Sequence, residues 1–355
     1  MTGPLSADLP IVLLLHGGLD NLSGKTGLAM LRYRRGPIVA VVDPSQAGRS
    51  LREVTGIARD VPVLASLGEA LPLGPRAAVV GLAPSGGRLA PEVRADLVAA
   101  LRAGLSVASG LHSRLGEDPE LAALRWPQAW IWDVRLEPPG LQVAAGRAAA
   151  LPARRLLAVG SDMAVGKMSA CLELLAAARA RGIEARFVGT GQAGLLIGGA
   201  GVALDAVRVD YAAGAVEAAV LAAGEGLKAD GWLLVEGQGS LCHPGSTATL
   251  PLMRGSQPTD LLLVHRAGQR HSRGLPDLLL PPLPQLIQAL EALAALARPS
   301  TALPPPRVRA VALNTALLEE AAAENAIAEV SELTGLPCTD PVRYGAGPLL
   351  EELLA

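Results

Sequence analysis

Two glycines and a lysine in the run Gly160-Ser161-Asp162-Met163-Ala164-Val165-Gly166-Lys167 stand at the spacing of a loop that holds phosphate oxygens. Such a loop aims backbone amides and a helix N-terminus at the anion, and its lysine supplies the counter-charge. In the usual pattern a Ser or Thr follows the lysine and its hydroxyl ligates magnesium. Met168 stands there in this chain, and a thioether is a poor ligand for a hard cation. Ser169, one place along, is the remaining hydroxyl. Gly160, Ser161, Asp162, Val165, Gly166, Lys167, Met168 and Ser169 are therefore the expected ligand contacts. Downstream, Glu236-Gly237-Gln238-Gly239-Ser240 puts an acid where phosphate-loop proteins keep one near the phosphates.

These residues need elements that present them together. The apolar run Leu156 to Val159 predicts a buried strand before the loop, and Ala170 to Ala178 a helix after it. Later strands are expected at Ala185 to Gly189, Gly231 to Val235, Leu261 to Val264 and Val308 to Leu313, the last ending in Asn314-Thr315. The first half alternates in the same way. Ile11 to Leu15, Ile38 to Val42, Val61 to Leu64, Ala77 to Gly81, Ser106 to Ala108 and Trp130 to Asp133 read as strands with helical segments between them. This alternation predicts α/β architecture in two domains: an N-terminal Rossmann-like parallel sheet over 1–150 and a C-terminal P-loop-type parallel sheet over 151–355. Glu137 to Pro152, rich in Pro, Gly and Ala, is the expected linker. An echo of the loop spacing occurs at Gly18 to Thr26, and Asp43 ends the next strand, where a dinucleotide fold keeps its ribose-binding acid.

Composition narrows the function classes. The chain has 355 residues, half of them hydrophobic and 18% charged, which excludes a disordered protein. A net charge of −2 and 2% aromatic residues give no basis for binding nucleic acid. The apolar stretch from Leu278 to Leu296 is broken by Pro281, Pro282 and Pro284, so no membrane association is expected. Cys171, Cys242 and Cys338 lie far apart and read as reduced thiols, and Cys242-His243 is too small a set for zinc. No metal site is expected. With no basic start leading into an apolar run, the expected location is the cytoplasm. The Ala- and Leu-rich helices fit a homo-oligomer.

The order of the loop, Val235-Glu236-Gly237-Gln238-Gly239 and Asn314-Thr315 resembles dethiobiotin synthetase and its P-loop relatives. A second resemblance covers nearly the whole chain. It rests on Gly81-Leu82-Ala83-Pro84-Ser85-Gly86-Gly87-Arg88-Leu89, Ser109-Gly110-Leu111-His112, the loop to Met168, Gly191-Gln192, Asp205-Ala206-Val207, Glu236 to Pro244, Ala312 to Thr315, and Gly335 to Arg343. In these the chain is similar to a bacterial P-loop family formerly of unknown function whose characterised activity is D-glutamate N-acetyltransferase. The resemblance implies acetyl transfer from acetyl-CoA to an amino-acid substrate, D-glutamate or a related one, and makes Met168 a family trait.

Coenzyme A carries phosphates, so the same cradle suits it, and acetyl transfer to an amine needs no magnesium. It does need a base for the amino group and donors for the tetrahedral oxyanion. Glu236 or His243 could be the base, and Gln238 with the Gly237 and Gly239 amides could be the donors. Arg88, Arg254 or Arg343 could bind a dicarboxylate, with Asn314 beside the substrate. Each has a plainer role open to it. Glu236 could only accept hydrogen bonds from loop amides, His243 could be satisfied by backbone, and Arg88 and Arg343 could anchor loops. Asp205 and Asp210 could hold a metal or merely cap helices. Two other functions fit the same loop: a ligase or kinase using ATP or GTP with magnesium, and a nucleotide-responsive binding protein without turnover.

Overall fold

The computed structural model describes residues 3–84, 87, 89–296, 298–299 and 304–354. The chain forms two compact units, one from the chain up to Leu136 with Gln192–Gly199, the other from Glu137–Gly191 and Ala200 onward.

The first unit is a six-stranded sheet of β1 (Ile11–Leu14), β2 (Ile38–Val42), β3 (Val63–Leu64), β4 (Ala77–Val80), β5 (Ser106–Ser109) and β6 (Ile131–Asp133). Every pairing is parallel, in the order β3-β2-β1-β4-β5-β6. That order reverses direction after β1, which is the Rossmann arrangement. The four residues of β1 are all apolar and buried, as a central parallel strand covered on both faces requires. Helices α1 (Lys25–Tyr33), α2 (Leu51–Thr55), α3 (Leu67–Ala70), α4 (Pro91–Arg102) and α5 (Pro119–Leu124) make the connections.

The second unit repeats the principle. Its strands are β7 (Arg154–Gly160), β8 (Ala185–Val188), β9 (Trp232–Val235), β10 (Asp260–Arg266), β13 (Arg307–Asn314) and β14 (Cys338–Thr339), in the parallel order β14-β13-β10-β7-β9-β8. Between β10 and β13 lies an antiparallel hairpin, β11 (His271–Ser272) and β12 (Leu275–Leu279). Helices α6 (Lys167–Ala180), α8 (Val209–Gly224), α9 (Thr249–Ser256), α10 (Leu283–Leu296), α11 (Glu320–Thr334) and α12 (Gly347–Leu354) complete this unit. Helix α7 (Gln192–Gly198) groups instead with the first unit, beside α1.

Because β7, β9, β10 and β13 are adjacent and parallel, their C-terminal ends lie along one sheet edge. Residues 160–167, 236–240, 265–274 and 314–315 are delivered there together, the edge where open α/β sheets bind ligands. The Glu137-to-Pro152 stretch, expected as a linker, is fastened to α8. Glu137 pairs with Arg208 at 2.9 Å, and the fully buried Glu217 accepts from the Arg147 amide at 2.6 Å and from its Nε at 2.9 Å.

Candidate functional site

The loop after β7 has the cradle geometry its spacing predicts. Gly166 has φ +114° and Ala164 φ +54°, so the backbone turns through left-handed positions just before α6 begins at Lys167. The glycines make room for the lysine. A Cβ on Gly160 would lie 2.6 Å from Lys167 Nζ, and one on Gly237 would lie 1.7 Å from the Ala158 carbonyl and 2.9 Å from Lys167 Cδ. Lys167 is thus threaded between the ends of β7 and β9 and is almost fully buried. Among the described residues its ammonium donates once, to the Asp162 carbonyl at 2.9 Å. Burial lowers its pKa to about 8, against the attraction of Asp162 and Glu236. A buried cation with hydrogens to spare, in a space no Cβ may enter, fits a phosphate group.

Glu236 follows β9 and is buried beside that lysine. Its Oε2 accepts from the Thr190 amide at 2.9 Å and the Gly191 amide at 3.3 Å, and its Oε1 accepts from Gln238 Nε2 at 3.0 Å. Thr190 Oγ1 also donates to the Glu236 carbonyl at 2.7 Å. Desolvation raises the carboxyl to about 7, more than those three bonds and Lys167 pull it down. Lys167 and Glu236 are therefore both shifted toward neutrality, one down and one up. Gln238 acts on Glu236 directly, and Gly191 permits this, since a Cβ there would lie 2.8 Å from Gln238 Nε2.

Asp162 ties the loop to the hairpin. Its carboxylate accepts from the Met163 amide at 2.7 Å, Ser272 Oγ at 3.1 Å, Gln269 Nε2 at 2.6 Å and the Arg273 amide at 2.6 Å. Burial works to raise its pKa, but those hydrogen bonds outweigh it and hold the carboxyl below its ordinary value. Ser161 points inward instead: its Oγ lies 2.8 Å from Nδ1 of His265, and its carbonyl accepts from Ser240 Oγ at 3.0 Å. Burial lowers His265 to about 4, so the imidazole is neutral at pH 7. On the other flank, Asn314 Nδ2 donates to the Val165 carbonyl at 3.0 Å and Arg266 Nη2 to that of Ala164 at 2.8 Å. Met168 and Ser169 occupy the first turn of α6, both half-buried.

The remaining residues divide by what they touch. His243 Nδ1 accepts from the Gly245 amide at 3.0 Å, which leaves the proton on Nε2 to be donated to the Arg273 carbonyl at 3.2 Å. A neutral histidine satisfied in that way has its lone pair engaged and helps hold the hairpin. Arg343 Nη2 donates to the carbonyls of Leu318 at 2.7 Å and Thr315 at 3.3 Å. Asp340 binds the Thr315 amide and hydroxyl at 2.8 and 2.6 Å. Arg343 thereby fixes the turn that carries Asn314 to the loop. Arg254 is exposed on α9, Asp210 lies in the first turn of α8, and Asp205 in an exposed turn. Arg88 lies outside the described residues. No group of three His, Cys, Asp or Glu among the described residues is placed to hold a metal.

The echo at Gly18 to Thr26 takes a different form. The Gly17 amide donates to Asp43 Oδ1 at 2.8 Å and the Leu19 amide to Oδ2 at 3.1 Å. Gly24 closes on Gly18, whose carbonyl would lie 2.0 Å from a Cβ at Gly24. Lys25 is exposed. The anion seated on this loop is the chain's own carboxylate, which gives Asp43 a structural occupation instead of the ribose contact its position suggested.

Sequence reasoning missed the hairpin, His265 and the Asp162 clamp. The one signal for them is local charge: Arg266, Arg270, His271 and Arg273 crowd into eight positions of a chain that is otherwise sparingly charged.

A buried lysine on a glycine cradle, at the switch edge of a parallel sheet and following a Rossmann-like unit, defines a P-loop protein of two α/β domains. The family models agree. Residues 44–137 match the Rossmann-like N-terminal domain DUF1611_N and residues 142–350 the P-loop domain DUF1611_C, each described as a domain of unknown function. The chain belongs to the DUF1611 family. A crystal structure of a DUF1611 family protein from Anabaena variabilis superposes with a TM-score of 0.90 at 52% identity, covering 98% of this chain and 99% of that one. A D-glutamate N-acetyltransferase of Tritonibacter scottomollicae is 36% identical across 98% of this chain and 99% of its own length. Another protein of that name, from a Pseudoalteromonas species, is 33% identical across 81% of this chain and 84% of its own.

Proposed function

We propose that this protein is an amino-acid N-acetyltransferase that moves the acetyl group of acetyl-CoA to the amino group of D-glutamate or a close relative of it. The observation that carries this reading is the end-to-end correspondence with a D-glutamate N-acetyltransferase at 36% identity. The site is compatible with that chemistry. The cradle around Lys167 suits the phosphates of coenzyme A, and Met168 leaves the first helical turn without the usual magnesium hydroxyl.

In the reaction the substrate's ammonium group gives up one proton, the neutral amine attacks the thioester carbonyl, a C–N bond forms and the C–S bond breaks. The nitrogen's second proton passes to the departing thiolate, so coenzyme A leaves as the thiol and one proton is released overall. Glu236, titrating near pH 7, is the candidate base for the ammonium group, and Gln238 orients it. Asn314 and Arg343 belong to the wall that shapes the loop.

Thiol release from acetyl-CoA, measured with a panel of D- and L-amino acids, tests the reading. Turnover with D-glutamate and little with L-glutamate is expected; absence of thiol release with every amino acid would overturn it. Parallel arms with ATP or GTP and magnesium report the rival chemistry, since nucleoside diphosphate release with a carboxylate acceptor would replace acetyl transfer by ligase or kinase activity. Lys167→Ala should raise the KM for acetyl-CoA about tenfold or more, because a buried charge-assisted phosphate contact is lost. Glu236→Gln should lower kcat about a hundredfold or more while leaving that KM within a few-fold.

A further inference from the structure

We propose that the hairpin between β10 and β13 is the site that recognises the 3′-phosphate of coenzyme A, with Arg270 and Arg273 as its specificity-determining residues. This rests on the acetyl-CoA reading and adds to it a phosphate-monoester subsite.

The argument begins with charge. Coenzyme A brings a diphosphate and a phosphate monoester, and a phosphate monoester carries about −1.5 to −2 at neutral pH. The loop itself places one buried cation, Lys167, at the phosphates. More positive charge must come from nearby, and the protein as a whole, at −2, has no general excess of it.

The hairpin supplies it locally. Arg270, His271 and Arg273 are exposed on one short turn, and Arg266 at the end of β10 reaches the loop through the Ala164 carbonyl at 2.8 Å. None of the three arginines makes an ion pair among the described residues. Two carboxylates lie close in sequence or space. Asp277 is exposed on β12, while Asp162 is committed to the Met163 and Arg273 amides, Ser272 and Gln269.

Position is the second part. The hairpin is an addition to the parallel sheet, and it is fastened to the phosphate loop itself. Asp162 of the loop accepts three hydrogen bonds from residues 269–273, and His243 Nε2 donates to the Arg273 carbonyl. The Leu280 amide closes its base on the Arg270 carbonyl at 2.9 Å. Fixed backbone carrying unpaired guanidinium groups beside a phosphate cradle is what recognition of a second phosphate requires. Guanidinium is the group best matched to phosphate oxygens.

Titration calorimetry with coenzyme A and 3′-dephospho-coenzyme A tests the assignment without turnover, and adenosine 3′-phosphate 5′-diphosphate against 5′-ADP repeats the comparison without the thiol arm. Wild type should bind coenzyme A about tenfold or more tightly than the dephospho form. The double variant Arg270→Ala/Arg273→Ala should bind both forms alike, with the weaker affinity, and Arg270→Lys/Arg273→Lys should recover part of the difference. Both side chains are exposed, so the fold should be intact by circular dichroism. Equal affinities in wild type, or a preference that survives in the alanine variant, would overturn the subsite. If acetyl-CoA and its dephospho form are turned over with equal kcat/KM, the hairpin assignment fails and acetyl transfer stands. If no amino acid is acetylated yet the hairpin-dependent preference is found, acetyl transfer fails and the subsite stands.

Discussion

Lys167 and Glu236 are an acid–base couple made by burial. Removed from water, the ammonium is lowered to about 8 and the carboxyl raised to about 7, so both change protonation close to neutral pH. An arriving phosphate acts on both in one direction: negative charge favours protonated lysine and protonated glutamate, so both pKa values rise. Coenzyme A binding at pH 7.5 should therefore take up protons. Calorimetry in buffers of different ionisation enthalpy measures this, and Glu236→Gln should reduce the uptake by the glutamate's share. Binding with no dependence on buffer, in wild type and variant alike, would mean that the pair does not feel the ligand. The identity of both residues was legible in the sequence because each sits in a local motif. Their pKa values were not, since these arise from burial and from the Thr190 and Gly191 amides, forty-odd residues away in the chain.

At the scale of elements, the hairpin of β11 and β12 buries little apolar surface, and its residues are mostly exposed, Leu279 among them. Its attachment is polar and converges on Asp162. Asp162→Ala should release it: amide exchange across residues 269–279 should accelerate strongly, while α6, β7 and β10 keep their protection. Hydrogen bonds to a charged acceptor are worth about 1.5–3 kcal/mol each, so loss of several exceeds what a two-stranded ribbon can supply alone. Unchanged exchange in the hairpin would show that the clamp is not what holds it. The main strands could be read from apolar runs because a parallel sheet covered on both faces demands them, and β1, β2, β4, β7, β9, β10 and β13 stand close to where those runs lie. The leucines of β12 are broken by Pro276 and Asp277 and stay partly or wholly exposed, so they do not read as a buried strand, and Gly268 and Gly274 at φ +73° and +77° mark the turns. Likewise α7 groups with the first unit through long-range packing on α1, which no local pattern encodes.

At the scale of the whole molecule, the buried site sets how stability depends on pH. His265 has a folded pKa of about 4 against an ordinary 6.5, so its contribution is fully present above pH 6.5 and is lost as pH falls toward 4. Glu236 has the opposite sign: raised from 4.5 to about 7, it contributes fully below pH 4.5 and loses that contribution as pH rises through 7. Each is worth on the order of 3 kcal/mol across its window, and the two windows overlap between about pH 4.5 and 6.5, where they oppose each other. Lys167, lowered from 10.5 to about 8, acts only above that range. Wild type should consequently show a shallow stability profile from these groups between pH 4.5 and 6.5. Glu236→Gln removes one side, so its unfolding free energy should climb with pH relative to wild type over that interval. His265→Asn removes the other, and its stability should fall with rising pH relative to wild type. Urea unfolding at half-unit pH steps would measure all three. Parallel profiles for the three proteins would mean that neither group is buried as the structure has it.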